Sequence, residues 1–222
     1  MDITYLGHSS FKIKTKNATI ITDPFDPEMI GLKFPKVEAD IVTISHQHGD
    51  HNHLAQILGK VTDQGTNQPF VIEGPGEYEV RGINILGIST FHDNSLGTER
   101  GKNTIYEFRV EGLNLIHCGD LGHKLTDAQK ESLGQPDILF IPTGGKYTID
   151  PAVAGEVINQ LEPKIIVPMH YQVGGLAPKL VSELVPVTEF LKVMGKGEMV
   201  PQDKLTITRD KLPEEIQIVV LK

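Results

Sequence analysis

A single cysteine stands among 222 residues, so an intramolecular disulfide framework and any cysteine-rich zinc module are excluded. The opening Met1-Asp2-Ile3-Thr4 lacks the basic segment and apolar run of a secretory signal. No stretch approaches the roughly 18–20 uninterrupted apolar residues of a membrane span. The expectation is a soluble, cytoplasmic protein with no membrane partner. Linkers rich in Ser, Gly or Pro, low-complexity tracts and long charge runs are also missing, so one domain over residues 1–222 is expected. Positive charge is scarce: 21 Lys and Arg against 29 Asp and Glu give a formal net charge of −8. That balance weighs against broad contact with a phosphate backbone, and no nucleic-acid partner is expected.

What the chain does have is nine histidines, unevenly placed among many short apolar segments. Residues 3–6, 11–14 and 18–22 read as strands; Phe11-Lys12-Ile13-Lys14 alternates apolar and polar, as a half-buried strand does. Residues 40–44, 70–72, 78–80, 83–90 and 138–141 read likewise. Residues 104–110 and 113–117 form a hairpin about Glu111-Gly112. A short helix is expected over 54–58, ending near Gly59, and another over 126–133. Asp150-Pro151 opens a third helix, with Asp as cap, Pro at the first position and an apolar stripe Val153, Ala154, Val157, Ile158, Leu161. Pro163 stops it and 164–167 is the next strand. A helix over 187–194 and strands at 205–208 and 216–221 close the chain. This mixture predicts sheet layers with helices outside, an α/β architecture.

The informative segment is Ser45-His46-Gln47-His48-Gly49-Asp50-His51-Asn52-His53, directly after a β-branched strand. Imidazole and carboxylate together suit Zn²⁺, Fe²⁺ or Mn²⁺. His46 and His48 can reach one ion from an extended turn, while Asp50 and His51 point elsewhere and could hold a second. Gly49 is expected to let the backbone turn between the pairs. Two ions about 3.5–4 Å apart can share and activate one hydroxide. Other strand ends run into Phe91-His92-Asp93, Cys118-Gly119-Asp120 and Pro168-Met169-His170. If those strands share an orientation, their ends meet at one rim, where α/β sites commonly form.

These residues resemble the metallo-β-lactamase superfamily, and in particular its ascorbate-6-phosphate lactonase-like branch of small metal-dependent hydrolases. The similar segments are Tyr5-Leu6-Gly7-His8-Ser9-Ser10-Phe11, Thr22-Asp23-Pro24, the motif from Ser45 to His51, Phe91-His92, Gly119-Asp120, Pro142-Thr143-Gly144-Gly145-Lys146-Tyr147-Thr148 and Pro168-Met169-His170-Tyr171. The resemblance implies an αββα sandwich of two mixed sheets. It implies that His46, His48 and His92 hold one ion, that Asp50, His51 and His170 hold the other, and that Asp120 bridges them. Asp50 and Asp120 would be the catalytic carboxylates, and zinc the metal, with manganese or iron as alternatives. Asp93 departs from the glycine and hydroxyl residue that many members place around the equivalent of His92, and His117 is the competitor for its place. His117 is otherwise expected to donate, from a buried strand, to a backbone carbonyl or to a carboxylate behind the ligands.

Further expectations concern single residues. His8 lines the pocket or orients a ligand, or is merely structural. Asp23 fixes a ligand histidine or forms an Asp-Pro turn. Cys118 is a small buried residue, and His53 and His123 are solvated. Lys146 and Tyr147 offer donors to a substrate oxyanion or phosphate, or serve the turn. The expected activity is hydrolysis, with a metal-bridging hydroxide attacking a carbonyl or phosphoryl centre of a small anionic substrate such as a lactone, ester or phosphodiester. An iron-dependent oxidoreductase or dioxygenase of the same fold, or a non-catalytic metal-binding protein, is the alternative. A homo-oligomer is a possible assembly.

Overall fold

The computed structural model describes residues 1–63 and 65–222. In chain order the elements are β1 (Asp2–Gly7), β2 (Ser10–Lys14), β3 (Thr19–Thr22), α1 (Pro27–Ile30), β4 (Val37–Glu38), β5 (Ile41–Thr43), β6 (Ile57–Leu58), β7 (Lys60–Thr62), β8 (Gly65–Asn67) and β9 (Phe70–Ile72). There follow β10 (Gly76–Val80), β11 (Ile83–Phe91), β12 (Lys102–Val110), β13 (Leu113–His117), α2 (Asp127–Ser132), β14 (Ile138–Pro142), α3 (Pro151–Leu161) and β15 (Ile165–Met169). The chain closes with α4 (Pro178–Glu183), α5 (Val187–Val193), β16 (Leu205–Thr206) and β17 (Gln217–Ile218).

Six strands form one mixed sheet in the order β16-β1-β2-β3-β5-β9, and seven form the other in the order β10-β11-β12-β13-β14-β15-β17. Strand alternation decides which side chains face the other sheet. In the first sheet Ile20 pairs with Ile41, and both enter the main core between the sheets. The next pair, Ile21 and Val42, points the other way, into a second cluster with Phe25, Ile30, Phe34 and Leu176. Ile85, Phe108 and Leu115, paired across β11, β12 and β13, face the first sheet's residues in the main core. Tyr106 spans the layers, its hydroxyl donating to the Ile44 carbonyl at 2.9 Å.

Helix α3 starts as its sequence requires. The Asp150 side chain accepts from the Val153 N–H, Pro151 occupies the first position, and Ala154, Val157, Ile158 and Leu161 are buried. With Phe190 and Leu191 of α5 it covers the outside of the second sheet. Segments around α1 and α4 cover the outside of the first sheet through Ile30, Leu176 and Leu184. The layers are therefore those of an αββα sandwich. Among the described residues no helix is long and apolar enough to cross a membrane.

Three expectations need correction. Residues 54–58 form no helix. Their backbone is taken up by a ladder instead, β6 pairing with β4, Val37 against Ile57. Gly49 does not occupy the left-handed region; its missing side chain leaves room for Met29 Sδ, which a Cβ would meet at 3.2 Å. The closing strands shrink to two residues each in β16 and β17. Helices α1 and α4, four and six residues long, carry no periodic stripe that would announce them.

Strand direction positions the site. β11 and β13 are both antiparallel to β12 and therefore parallel to each other, and β13, β14 and β15 pair in parallel. The C-terminal ends of β11, β13 and β15 thus emerge at one edge. The end of β5 reaches the same edge from the other sheet, where the Thr104 N–H donates to the Ser45 carbonyl at 2.8 Å.

Candidate metal centre

The segment after β5 turns back on itself, with the His51 N–H donating to the His48 carbonyl at 2.9 Å. Neighbouring backbone ties it down, the Asp26 N–H to the Gly49 carbonyl and the His53 N–H to the Pro24 carbonyl. The turn faces three other strand ends. Asp120 Oδ2 lies 3.2 Å from Nε2 of His51, 3.2 Å from Nε2 of His170 and 3.4 Å from Nε2 of His92. Donor atoms of His46, His48 and His92 lie within 4.8 Å of one another, as do those of His46, His51 and Asp120. A further group joins His8, Asp50, His51 and His170 on the same terms. All seven residues expected as ligands, His46, His48, Asp50, His51, His92, Asp120 and His170, are therefore brought together. His48 is the exposed one; His46, His51, His92, Asp120 and His170 are buried.

Hydrogen bonds behind the histidines settle which nitrogen faces the centre. Asp23 Oδ2 pairs with Nδ1 of His51 at 2.9 Å and accepts from the Ser45 hydroxyl at 2.7 Å. The Ser45 oxygen, having given its one proton to Asp23, accepts from Nδ1 of His46 at 2.9 Å. Both rings therefore turn Nε2 toward the centre. Asp23, His170 and His8 hold left-handed backbone, φ of 40°, 53° and 55°, which costs energy in residues with a side chain. His8 and His170 are locked together, the His170 N–H donating to the His8 carbonyl at 2.9 Å.

Glycine is required at two neighbouring positions. A Cβ on Gly119, whose φ is +54°, would stand 2.4 Å from Asn103 Oδ1, and one on Gly144 would stand 1.9 Å from the His170 carbonyl oxygen. Asn103, a residue that sequence reasoning passed over, is buried and holds the Asp120 N–H at 2.9 Å while donating to Thr90 and to the Cys118 carbonyl. A lone Asn inside a strand carries no signal that could have found it.

Charge is concentrated here. Burial lowers His46 to about 3, and His51 adds to the effect. Burial also lowers His8 to about 4, helped by His170. His51 moves the other way: burial opposes its charge, but Asp120, Asp50 and Asp23 raise it well above 6.5. Burial would raise Asp120, but His170 and His51 hold it well below the usual carboxylate range. Among the described atoms, His46 Nε2, His51 Nε2, Asp50 Oδ1 and Asp120 Oδ1 are buried without a hydrogen-bond partner. Buried orphan acceptors are expensive, and a divalent cation satisfies several at once. The residues present fit a metal centre.

The remaining candidates lie around it. His117 is fully buried, with Nε2 on the Ser9 carbonyl at 2.8 Å and Nδ1 accepting from the Gly119 N–H at 3.2 Å, so both nitrogens are engaged away from the donor groups. Cys118 is buried, which raises its thiol. His53 is partly exposed beside Asp26. His123, expected to be solvated, is half-buried: Nε2 accepts from the Phe91 N–H at 3.1 Å and Nδ1 donates to the Lys124 carbonyl at 2.6 Å. Tyr147 gives its hydroxyl to Glu183. Lys146 is exposed and lines an open groove of about 640 Å³ with Phe91, Asp93, Leu96 and Lys124. Asp93 organises that rim, its carboxylate accepting from the N–H groups of Ser95, Gly97, Glu99 and Arg100 at 2.8–3.1 Å.

Two face-to-face mixed sheets with a histidine and aspartate cluster at one edge define the metallo-β-lactamase class. A family model described as a beta-lactamase superfamily domain matches residues 2–170. A UPF0173 metal-dependent hydrolase from Lysinibacillus sphaericus is 31% identical over 90% of this chain and 99% of its own length. A metallo-beta-lactamase superfamily protein from Thermotoga maritima, solved by crystallography, is 40% identical with a TM-score of 0.77, covering 99% of this chain and 97% of that one. Igni18, a metallo hydrolase from Ignicoccus hospitalis, shares the fold at 21% identity and a TM-score of 0.65, over 93% and 99% of the two chains. The chain belongs to the beta-lactamase superfamily and, within it, to the UPF0173 metal-dependent hydrolases.

Proposed function

We propose that the cluster holds two divalent ions and that the protein hydrolyses a small anionic substrate at a carbonyl or phosphoryl centre. The observation that carries this reading is Asp120 Oδ2, which lies 3.2–3.4 Å from Nε2 of His51, His92 and His170. On this reading His46, His48 and His92 hold one ion, Asp50, His51 and His170 hold the other, and Asp120 stands between them. Zinc is the expected metal, with manganese or iron as alternatives for the same nitrogen and oxygen donors. When bound, such a pair lowers the pKa of water toward about 7 and draws charge from the substrate oxygen.

The chain's own residues do the rest. Asp23 and Ser45 fix the rings of His51 and His46 so that Nε2 faces inward. Asp50 is ionised: burial opposes this, but His51 and His8 lower its pKa, and Oδ1 is unpartnered. Its unpartnered Oδ1, rather than its lowered pKa, is what places it to take a proton. Lys146 lines the adjoining groove, where it attracts an anion, while Lys124 on the same groove is paired with Glu156. Two divalent ions also outweigh the carboxylates of Asp50 and Asp120, so an acidic protein presents a locally positive centre. A lactone, an ester or a phosphodiester meets these requirements.

The test combines metal counting with turnover on ester, lactone and phosphodiester panels, for wild type and Asp120→Ala. Two ions and turnover in the wild type, both lost in the variant, are expected. An Asp120→Ala protein with two tightly bound ions and full activity would overturn the assignment. Predominant iron with oxygen uptake, or full loading without turnover on any panel, would overturn the hydrolytic reading.

A further inference from the structure

His8 lies at the turn between β1 and β2, in left-handed backbone and 1% exposed. Both ring nitrogens are buried, and neither has a hydrogen-bond partner among the described residues. A purely structural position would be better filled by an apolar side chain, because the ion-pair contact of Nε2 with Asp50 Oδ2 at 3.4 Å does not meet hydrogen-bond geometry and does not replace the bonds to water that the imidazole loses. The backbone holds the ring in place, since the His8 carbonyl accepts from both the Tyr5 hydroxyl and the His170 N–H at 2.9 Å. The ring is directed into the centre: its centroid is 4.1 Å from that of His170 and 5.2 Å from that of His51.

The spacing is that of ligands sharing an ion. Nitrogen and oxygen donors at the usual zinc distances, arranged tetrahedrally, stand about 3.3–3.4 Å apart. His8 Nε2 lies 3.4 Å from Asp50 Oδ2, and His51 Nε2 lies 3.7 Å from the same oxygen. Donor atoms of His8, Asp50, His51 and His170 all fall within 4.8 Å of one another.

We infer that His8 is a fourth side-chain donor to the ion held by Asp50, His51 and His170; the inference rests on the two-ion reading above. The two ions then differ. The Asp50 side has one more protein donor and is walled by buried histidines. The other has His46, His48 and His92, with His48 exposed. Exchange of water and substrate belongs to the His48 side, because an ion that keeps an open position is the one that reacts, whereas a closed shell holds its metal.

The test strips the wild type, His8→Asn and His8→Ala with a chelator and titrates Zn²⁺ back against a chromophoric competitor. Metal is counted by mass spectrometry, and the zinc-loaded wild type is crystallised. Asn tolerates left-handed backbone, so His8→Asn keeps the turn while removing the ring. The expected result is two ions in the wild type, with one of them weakened by about 10- to 100-fold or more in both variants and the other unchanged. The loaded wild type should place a His8 nitrogen about 2.0–2.1 Å from an ion. Unchanged affinity for both ions in His8→Asn, or a His8 nitrogen beyond about 3 Å from every ion, overturns the inference. A wild type that takes up a single ion refutes the two-ion reading instead, and the His8 distance to that ion still decides whether His8 is a donor. If neither variant folds, the loaded wild-type structure decides alone.

Discussion

The carboxylate of Asp23 meets Nδ1 of His51 at 2.9 Å, with both side chains fully buried. The same oxygen accepts from Ser45, whose hydroxyl oxygen holds Nδ1 of His46. One carboxylate thus orients a histidine in each of the two proposed ion shells. Replacing Asp23 by Asn, which tolerates the φ of 40°, should weaken metal binding by about 10- to 100-fold through loss of ring orientation and basicity. Chelator competition measures this, and wild-type affinity in the variant would remove Asp23 from the positioning role.

Gly144 touches the centre through backbone alone. A methyl group there would stand 1.9 Å from the His170 carbonyl oxygen, so the strand end bearing His170 has to move. Gly144→Ala should cost about 2–3 kcal/mol of stability and lower metal occupancy with it. Thermal melts with and without metal check both effects; a variant as stable and as fully loaded as the wild type contradicts the packing described.

The metal-free protein should be most stable near the ordinary histidine pKa of about 6.5. His8 and His46 have lowered values, about 4 and about 3. Between those values and 6.5 the unfolded chain binds protons that the folded chain does not, so stability falls as the pH falls. His51 has a raised value. Above 6.5 the folded chain holds a proton that the unfolded chain has released, so this contribution is lost as the pH rises through the raised value. Each proton difference changes stability by about 1.4 kcal/mol per pH unit. Denaturant titrations from pH 4 to 9 should give a maximum, and a monotonic profile would contradict the assigned shifts. Metal should flatten the alkaline limb, because an ion replaces the His51 proton.

Asp93 gathers four backbone N–H groups and so shapes the segment from Ser95 to Arg100 at the groove rim. Burial would raise its carboxyl, but these bonds hold it down at about 2. Asp93→Ala should leave both sheets intact and open this segment to proteolysis. Limited digestion read by mass spectrometry should find new cuts between residues 94 and 101; an unchanged cleavage pattern would show that the carboxylate is not what orders it.

Much of this was legible in the chain. The apolar runs ending in His46, His92, Asp120 and His170 are strands, and their ends meet. Helix α3 obeys its Asp-Pro start and its stripe. What stayed illegible depended on partners distant in sequence. Residues 54–58 have the composition of a short helix, yet β4, some twenty residues earlier, draws Ile57 and Leu58 into a ladder. Asn103 and Ser45 look ordinary until Asp120 and Asp23 are placed beside them. Asp93 looked like an irregularity beside His92 and turned out to tie the groove rim.

The sequence by itself named the candidate donors and their chemistry. Histidine and aspartate at strand ends, with a single cysteine elsewhere, specify a nitrogen and oxygen centre because side-chain type and local spacing are written residue by residue. Tertiary structure alone decided that these residues meet. Parallel β11, β13 and β15 bring Asp120 between His51, His92 and His170, and the β1–β2 turn delivers His8 to Asp50 from 42 positions away in the chain. Such contacts arise from strand order and sheet stacking, which burial of two apolar faces imposes on the whole chain at once.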